Sequence, residues 1–178
     1  MKFAIVSDSH NNVKNFKKII VFLNKENIKL ILHCGDIGSP EFLEESLQDF
    51  DGKFFGVLGN MDRDYRILVV DYNKIKNVKI EERVLEIPID KKMTAITHYP
   101  ETARSLAESG KYNLVFYGHT HKPWLDSLKL ASESGEEKKC LLVNPGETAG
   151  QIFKPCFAIY DTEKDFLELK ILERLEQR

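Results

Sequence analysis

The sequence predicts an α/β domain in which alternating strands and helices are followed by antiparallel hairpins. Short apolar runs alternate with segments of helical periodicity up to about residue 122, and strand-like runs then follow one another with no long helix between them. The 178 residues are 42% hydrophobic and 30% charged, which fits one compact globular unit. We therefore expect a single domain over residues 1–178.

Five short apolar runs are predicted to form the strands of the alternating region. They lie at residues 3–7, 30–33, 53–57, 93–97 and 114–117. The early runs lead directly into loops that contain glycine, aspartate or histidine. In an open α/β sheet the loops at the carboxyl ends of the strands converge on one crevice, so these loops are where a functional site is expected.

Two helices are predicted between these strands. The first follows the first strand, with Asn11 or Asn12 as its N-cap, and the second begins at Pro100 and ends at Gly110. Apolar residues recur at helical spacing in both segments, so each helix is expected to bury one face. These residues are Val13, Phe16, Ile19, Ile20 and Leu23 in the first helix, and Ala103, Leu106 and Ala107 in the second.

The C-terminal third is predicted to consist of hairpins. Strand-like runs occupy residues 124–130, 140–145, 156–161 and 166–171, and a polar turn at 132–139 separates the first two. The segment Asn144, Pro145 and Gly146 fits either a plain hairpin exit or a tight turn that borders the crevice. The second part of the chain therefore adds antiparallel strands to the fold.

Charge, hydropathy and cysteine content disfavour several classes of protein. The net charge of −2 comes from interspersed acids and bases, so no extended nucleic-acid-binding surface is predicted. The N-terminal apolar run is too short for a signal peptide and no segment approaches membrane-spanning length, so we expect a cytoplasmic protein. The three cysteines lack CxxC spacing, which indicates reduced core thiols rather than disulfides or a zinc-thiolate site.

Polar side chains follow the apolar runs at several strand ends, and glycine often stands directly before them. Gly35, Gly59 and Gly118 each precede such a side chain, which suggests that the backbone passes close to a site there. His119 and His121 are two residues apart on an extended segment, so both side chains point to one side. His33 lies inside an apolar run and is interpreted as a packed or supporting residue. The candidate metal ligands are Asp8, His10, Asp36, Asn60, His98, His119 and His121.

This set of nitrogen and oxygen donors predicts a metal centre. Mixed imidazole, carboxylate and amide ligands suit divalent Mn, Fe, Ni or Zn. Seven ligands are too many for one ion, whereas a bridging Asp36 would give each of two ions four protein ligands and leave positions for water and substrate. The expected cofactors are therefore two divalent ions per chain, with Mn or Ni favoured.

The order and spacing of these motifs resemble the calcineurin-like metallophosphoesterases. The matching motifs, over roughly residues 1–160, are DxH at 8–10, GD at 35–36, GNxD at 59–62, the lone His98 and GHTH at 118–121. The small size and NPGE at 144–147 are similar to the compact bacterial and archaeal phosphodiesterases. The resemblance implies two facing mixed β-sheets flanked by helices, an α/β/β/α sandwich.

The resemblance also implies how the ligands divide and what reaction they support. One metal would take Asp8, His10, Asp36 and His121, and the other Asp36, Asn60, His98 and His119. The implied reaction is hydrolysis of a phosphodiester, nucleotide-like compounds included, by a metal-bridging hydroxide. Asn60 and His98 are the implied catalytic residues, together with Asp62, which fits either a turn or the orientation of a neighbour in the site.

Two positions depart from the family pattern. Met61 stands where many members have a histidine that is thought to protonate the leaving group, and a thioether cannot donate a proton. Tyr99 replaces a glycine that often follows the lone histidine, so its ring is expected to cover or line the substrate pocket. The proton donor and the shape of the pocket are therefore not carried over from the family.

An alternative function is protein assembly, because the resemblance extends to a retromer subunit that has this fold and an altered metal site. All seven ligand positions are filled here, which favours catalysis. A nuclease like the family's repair enzymes is disfavoured because the chain lacks a DNA-binding domain and has a pI near 6.2. A homo-oligomer is compatible with the sequence.

Overall fold

The computed structural model describes residues 1–64, 69–131 and 137–177. These ranges contain eleven strands, five helices and a final 3₁₀ helix. In chain order the elements are β1 (Lys2–Val6), α1 (Val13–Lys25), β2 (Leu30–His33), α2 (Pro40–Leu47), β3 (Lys53–Val57), α3 (Asn60–Asp64), α4 (Val69–Tyr72), β4 (Val78–Glu81), β5 (Val84–Ile89), β6 (Lys92–Thr97), α5 (Pro100–Glu108), β7 (Leu114–Phe116), β8 (Trp124–Ala131), β9 (Glu137–Asn144), β10 (Cys156–Asp161), β11 (Phe166–Ile171) and the 3₁₀ helix (Leu172–Gln177).

The strands form two mixed sheets. The first has the order β11-β10-β1-β2-β3-β4, with β1 to β4 parallel and the β10–β11 hairpin antiparallel to β1. The second has the order β5-β6-β7-β9-β8, with β6, β7 and β9 parallel and the two edge strands antiparallel to their neighbours. Each sheet therefore has a parallel centre, whose strand ends can support a common site.

Three apolar clusters divide the molecule into four layers. Alternate residues of β1 show the pattern, because Phe3 and Ile5 pack between the sheets whereas Ala4 and Val6 face the helices on the outer side of the first sheet. A third cluster joins the second sheet to α5. The order helix, sheet, sheet, helix confirms the predicted fold class. Cys34, Cys140 and Cys156 are free and buried within it, as predicted.

Both predicted helices are present, and the structure settles how they begin and end. Asn12 is the N-cap of α1, since its Oδ1 accepts a hydrogen bond of 3.0 Å from the Asn15 backbone N–H. The buried face of α1 is formed by Phe16, Ile19, Ile20 and Leu23. Helix α5 starts at Pro100 as predicted and ends at Glu108, two residues before Gly110. The five predicted strands of the alternating region match β1, β2, β3, β6 and β7 to within one residue at each end.

Several elements were not predicted. Strand β5 carries Pro88, which weakens its strand pattern, and a proline is tolerated there because β5 lies at a sheet edge.

The two predicted hairpins form, but β8–β9 belongs to the second sheet and β10–β11 to the first. The polar turn was predicted over residues 132–139. Residues 132–136 lie outside the described residues, and residues 137–139 belong to β9 rather than to a turn. Among the helices in the described ranges, none is both long and apolar enough to cross a membrane.

Candidate metal centre

The seven predicted ligands come together where the parallel strands of both sheets end. Asp8 and His10 follow β1, Asp36 follows β2 and Asn60 follows β3, all in the first sheet. The remaining three come from the second sheet, with His98 after β6 and with His119 and His121 after β7. The cluster therefore spans the interface between the two sheets.

One half of the cluster joins Asp8, His10, Asp36 and His121. The Nε2 atoms of His10 and His121 are 3.4 Å apart. His121 Nε2 lies 3.5 Å from Asp8 Oδ1, and His10 Nε2 lies 3.8 Å from Asp36 Oδ2. Donor atoms of Asp8, His10 and His121 lie within 4.8 Å of one another, which is a spacing that one metal ion can bridge.

The other half joins Asp36 to His98, Asn60 and His119. His98 Nε2 lies 3.6 Å from Asp36 Oδ1 and 3.0 Å from Asn60 Oδ1, and Asn60 Oδ1 is also 3.0 Å from His119 Nδ1. The two carboxylate oxygens of Asp36 thus face different halves, Oδ2 toward His10 and Oδ1 toward His98. Asp36 therefore has one oxygen available to each half of the cluster.

The tautomer of His98 shows that this second half fits a cation. Its Nδ1 lies 2.8 Å from the Cys34 carbonyl oxygen, which only accepts, so Nδ1 carries the ring proton. Burial lowers the pKa of His98 to about 4, so the ring is neutral at pH 7 and Nε2 presents a lone pair. That lone pair faces two oxygens, and electron-pair donors directed at one point suit a bound metal ion.

The backbone at the cluster is held in an uncommon conformation. Five of the seven predicted ligands are non-glycine residues with positive φ, a region that costs energy for side chains other than glycine. Their φ values are 51° for Asp8, 42° for His10, 53° for Asp36, 69° for His119 and 60° for His121. Such conformations concentrate at functional sites, where surrounding contacts hold them in place.

Glycine is required beside the ligands, as the sequence predicted. Gly35 has a φ of 95°, and a Cβ there would lie 2.5 Å from His98 Nδ1. A Cβ on Gly59 would lie 2.0 Å from Asp36 Oδ1. Both distances are shorter than any normal contact, so a larger residue at either position would displace a predicted ligand.

Burial sets the electrostatics of the carboxylates in the cluster. The pKa of Asp8 is raised well above its usual range because the side chain is removed from water, and the neighbouring Asp36 charge raises it further. Burial likewise raises the pKa of Asp36, although a hydrogen bond of 2.9 Å from the Met61 backbone N–H opposes the shift. Two buried carboxylates in mutual repulsion favour a cation between them.

Asp62 and His33 support the cluster from beneath. The Asp62 carboxylate is fully buried and accepts backbone N–H bonds from Ile37, Gly38 and Gly59, at 3.2, 3.0 and 2.8 Å. These bonds tie the loop after β2 to the loop after β3. His33 accepts from the Gly35 N–H at Nδ1, so its Nε2 donates to Ser9 Oγ at 2.9 Å, in agreement with a packed, supporting residue.

Glu147 is a supporting residue that the sequence reasoning did not identify. Its carboxylate is fully buried, and Oε2 lies 3.1 Å from His121 Nδ1. Burial acts to raise the pKa of Glu147, but bonds from the backbone N–H groups of residues 151–153 outweigh it, so the pKa is lowered overall. Its sequence signal was the same as that of Asp36, Asn60 and His119, a polar residue after glycine near the end of a strand.

An open pocket of about 330 Å³ lies over the cluster. Tyr99 packs beside it, with its ring centroid 5.1 Å from that of His98 and 5.2 Å from that of His119. Met61 is half-buried and reaches the pocket. The pocket is lined by His10, Asn11, Asp36, Gly38, Asn60, Met61, His119, His121 and Gln151.

Comparisons with known proteins agree with this geometry. The curated phosphodiesterase MJ0936 of Methanocaldococcus jannaschii is 30% identical over 176 residues, which cover 97% of this chain and 100% of that protein. A solved archaeal phosphodiesterase superposes with a TM-score of 0.81 at 28% identity, covering 96% of this chain and 99% of the other. The Escherichia coli phosphoesterase Yfce shares the fold, with a TM-score of 0.65 at 18% identity and coverage of 97% and 100%.

A family model for the calcineurin-like phosphoesterase superfamily domain matches residues 1–165. The match includes every predicted ligand and extends through β10. Together with the four-layer fold and the donor cluster at the strand ends, this match shows that the chain belongs to the calcineurin-like phosphoesterase superfamily.

Proposed function

We propose that this protein is a dinuclear metal-dependent phosphodiesterase. The observation that carries the proposal is the cluster of seven nitrogen and oxygen donors from both sheets, five of which line one open pocket. The full-length similarity to a phosphodiesterase of M. jannaschii supports the reaction type. Phosphodiester hydrolysis at a two-metal site requires such a cluster with open positions for substrate.

The proposed ligands divide into two sets that share Asp36. Asp8, His10 and His121 complete one set, and Asn60, His98 and His119 complete the other. The opposed directions of the two Asp36 oxygens support its bridging role. Imidazole, carboxylate and amide donors suit Mn, Ni, Fe or Zn, and we propose Mn or Ni as the bound ions.

The protein side chains have distinct tasks in the proposed reaction. Bound metal would supply Lewis-acid activation of water and positive charge for the phosphoryl group. Asn60 would hold a metal ion at the pocket, and the buried His98, whose ring is fixed by the Cys34 carbonyl, would hold the same ion from the protein side. Asp62 would act as a positioning residue, because its buried carboxylate holds the ligand loops and does not reach the pocket.

The substrate would enter over Met61 and beside Tyr99. Met61 lines the pocket with a side chain that cannot donate a proton, so the leaving group would depart without help from that position. Tyr99 would border the substrate through its packing on His119. The proposed substrate is a phosphodiester, with nucleotide-like diesters as one candidate class, and the proposed compartment is the cytoplasm.

Metal content and diesterase activity test this function together. Protein purified without chelator is expected to bind about two divalent ions per chain and to hydrolyse bis(p-nitrophenyl) phosphate when loaded with Mn²⁺. Asp36→Asn should lower affinity at both positions and reduce hydrolysis at least about 10²-fold, since it removes the bridging charge. Glu45→Gln is the matched control, because Glu45 is an exposed carboxylate that pairs only with Lys17 among the described contacts.

Two outcomes would contradict the proposal. If the wild-type protein binds neither Mn²⁺ nor Ni²⁺, the result would contradict the proposed metal centre and favour the protein-assembly alternative. Metal-loaded protein that fails to hydrolyse any aryl phosphodiester would support the proposed metal centre but contradict the proposed diesterase activity.

A further inference from the structure

Glu147 holds two different parts of the site with one carboxylate. Oε2 lies 3.1 Å from His121 Nδ1 and accepts a 2.7 Å bond from the Gln151 N–H. Oε1 accepts a 2.7 Å bond from the Ile152 N–H and a further bond from the Phe153 N–H. The side chain has no exposed surface, so these four donors replace its hydration.

The contact with His121 determines which ring nitrogen is available to a metal. An ionised carboxylate only accepts hydrogen bonds, so His121 Nδ1 must donate to Glu147 Oε2. The neutral ring then has no proton on Nε2, the atom that faces Asp8 Oδ1 at 3.5 Å. A carboxylate behind a ligating histidine fixes its tautomer and raises its basicity as a ligand.

The other contacts hold a segment at the mouth of the pocket. Gln151 lines the pocket, while Ile152 and Phe153 are 67% and 42% exposed. Exposed apolar side chains provide little packing energy, so the backbone bonds to Glu147 are a main constraint on residues 151–153.

We infer that Glu147 is a positioning residue that couples metal binding at His121 to the ordering of residues 151–153. A cation on His121 Nε2 withdraws electron density from the ring and makes Nδ1–H a stronger donor. The stronger bond restrains the carboxylate, and the restrained carboxylate holds the three amides more firmly. Metal occupancy thereby stabilises the pocket mouth beside Gln151. This inference rests on the proposed metal centre.

A purely structural role for Glu147 makes a different prediction. If the carboxylate only closes the loop after β9, the amides of residues 151–153 are equally protected with and without metal. If it couples the two parts, their protection rises when metal binds. Backbone hydrogen exchange distinguishes the two roles without reference to catalytic activity.

The experiment is hydrogen exchange of the full chain, measured by mass spectrometry with EDTA and with saturating MnCl₂. In wild-type protein we expect exchange at residues 151–153 to slow about tenfold or more with Mn²⁺. In Glu147→Gln the effect should disappear and Mn²⁺ affinity should fall by about 10- to 100-fold. Glutamine has only one acceptor oxygen, so either His121 and Gln151 or the Ile152 and Phe153 amides lose their acceptor.

Asp161→Asn is the matched control. Asp161 is also a buried carboxylate that accepts a backbone N–H bond, from Glu163 at 3.0 Å, but it lies in β10 away from the cluster. Its substitution should change neither Mn²⁺ affinity nor the response of residues 151–153. A general loss of stability would affect both variants alike.

A second measurement needs no variant. Long-range ¹H–¹⁵N correlation spectra of metal-free wild-type protein should show His121 as the Nδ1–H tautomer, and an Nε2–H tautomer would overturn the inference. Wild-type protein that binds Mn²⁺ without slower exchange at residues 151–153 would also overturn it while the metal centre stands. If the wild-type protein binds no divalent ion, the result would instead contradict the proposed function, and this inference would fail with it.

Discussion

At the scale of single residues, the buried histidine His33 links stability to pH. Its imidazole has no exposed surface, and burial, reinforced by the neighbouring histidines His98 and His10, lowers its pKa from 6.5 to about 3. The folded state therefore keeps the ring neutral, whereas the unfolded chain takes up a proton below pH 6.5. The stabilising effect of the neutral ring is complete above pH 6.5 and is lost as the pH falls toward 3.

His33→Gln should weaken this pH dependence. In metal-free wild-type protein, protonation of the unfolded chain at this one residue should remove about 2 kcal/mol of unfolding free energy between pH 7 and pH 5. The variant should lose less over the same range, although it should be less stable at pH 7 because its bond to Ser9 is altered. Urea unfolding at the two pH values measures the difference, and equal losses for both proteins would contradict the prediction.

Met61 offers a second prediction at this scale. Without an acidic side chain at that position, hydrolysis should depend steeply on the acidity of the leaving group, with nitrophenyl diesters cleaved well and alkyl diesters poorly. Met61→His should make the dependence shallower and speed the poorest leaving groups by about 10²-fold or more, if the imidazole reaches the leaving oxygen.

The measurement for Met61 is a series of rates over leaving groups of graded pKa, with both proteins loaded with the same metal. A shallow slope in the wild type that the substitution leaves unchanged would contradict the prediction. That outcome would show that another group in the pocket already provides the proton.

At the scale of elements, the start of α1 is hydrogen-bonded to the loop after β9. Asn12 Oδ1 caps the helix, and Asn12 Nδ2 donates to the Ala149 carbonyl at 2.9 Å. Asn15 Nδ2 donates to the Thr148 carbonyl at 2.9 Å. The loop that carries Asp8 and His10 therefore lies between two fixed points, the end of β1 and the capped start of α1.

Asn12→Ala should lower the free energy of unfolding by about 1–2 kcal/mol, because it removes a helix cap and a bond to a second loop. It should also weaken metal affinity, since the His10 backbone is less well held. Asn24→Ala is the control, because Asn24 lies near the other end of α1 with one exposed bond to the Asp49 carbonyl. Denaturant unfolding and Mn²⁺ titration check both effects, and equal losses in the two variants would argue against the prediction.

The elements also show which features the sequence could predict. Local signals identified β1 and α1, because apolar spacing and an asparagine cap are properties of neighbouring residues. Strand β5 was missed because Pro88 obscured its pattern. The separation of the two hairpins into different sheets was not predictable from their sequences, because pairing of β10 with β1 is decided by contacts about 150 residues apart.

The residues of the candidate site also divide into those that local sequence identifies and those whose function depends on contacts in the folded chain. Asp8, Asp36 and His98 were identifiable because each lies within three residues of the end of an apolar strand. The function of Glu147 was not, because it depends on a contact with His121 that only the folded loop creates. Asp62 had two interpretations until its three backbone partners placed it beneath the ligand loops.

At the scale of the whole molecule, the proposed ligands come from both sheets. Four ligands come from loops of the first sheet and three from loops of the second, so bound metal would connect both halves of the sandwich. A ligand that binds only the folded state stabilises it by about 2.7 kcal/mol at a concentration of one hundred times Kd. Mn²⁺ should therefore raise the melting temperature by several degrees, and EDTA should reverse the increase.

Thermal unfolding of the Asp36→Asn variant provides the control for this effect. Its melting temperature should respond little to Mn²⁺, because the bridging carboxylate is absent. An equal rise in both proteins would indicate that the ion binds elsewhere, for example at surface carboxylates.

The position of β1 has a consequence for synthesis of the chain on the ribosome. This strand is translated before the other described strands, yet one of its two neighbours in the sheet is β10, which is completed only when residue 161 has been made. When His121 first leaves the exit tunnel, all seven proposed ligands are exposed, but β9, β10 and the Glu147 that orients His121 are not. Metal capture by the complete site would therefore follow the exposure of Glu147 and β10.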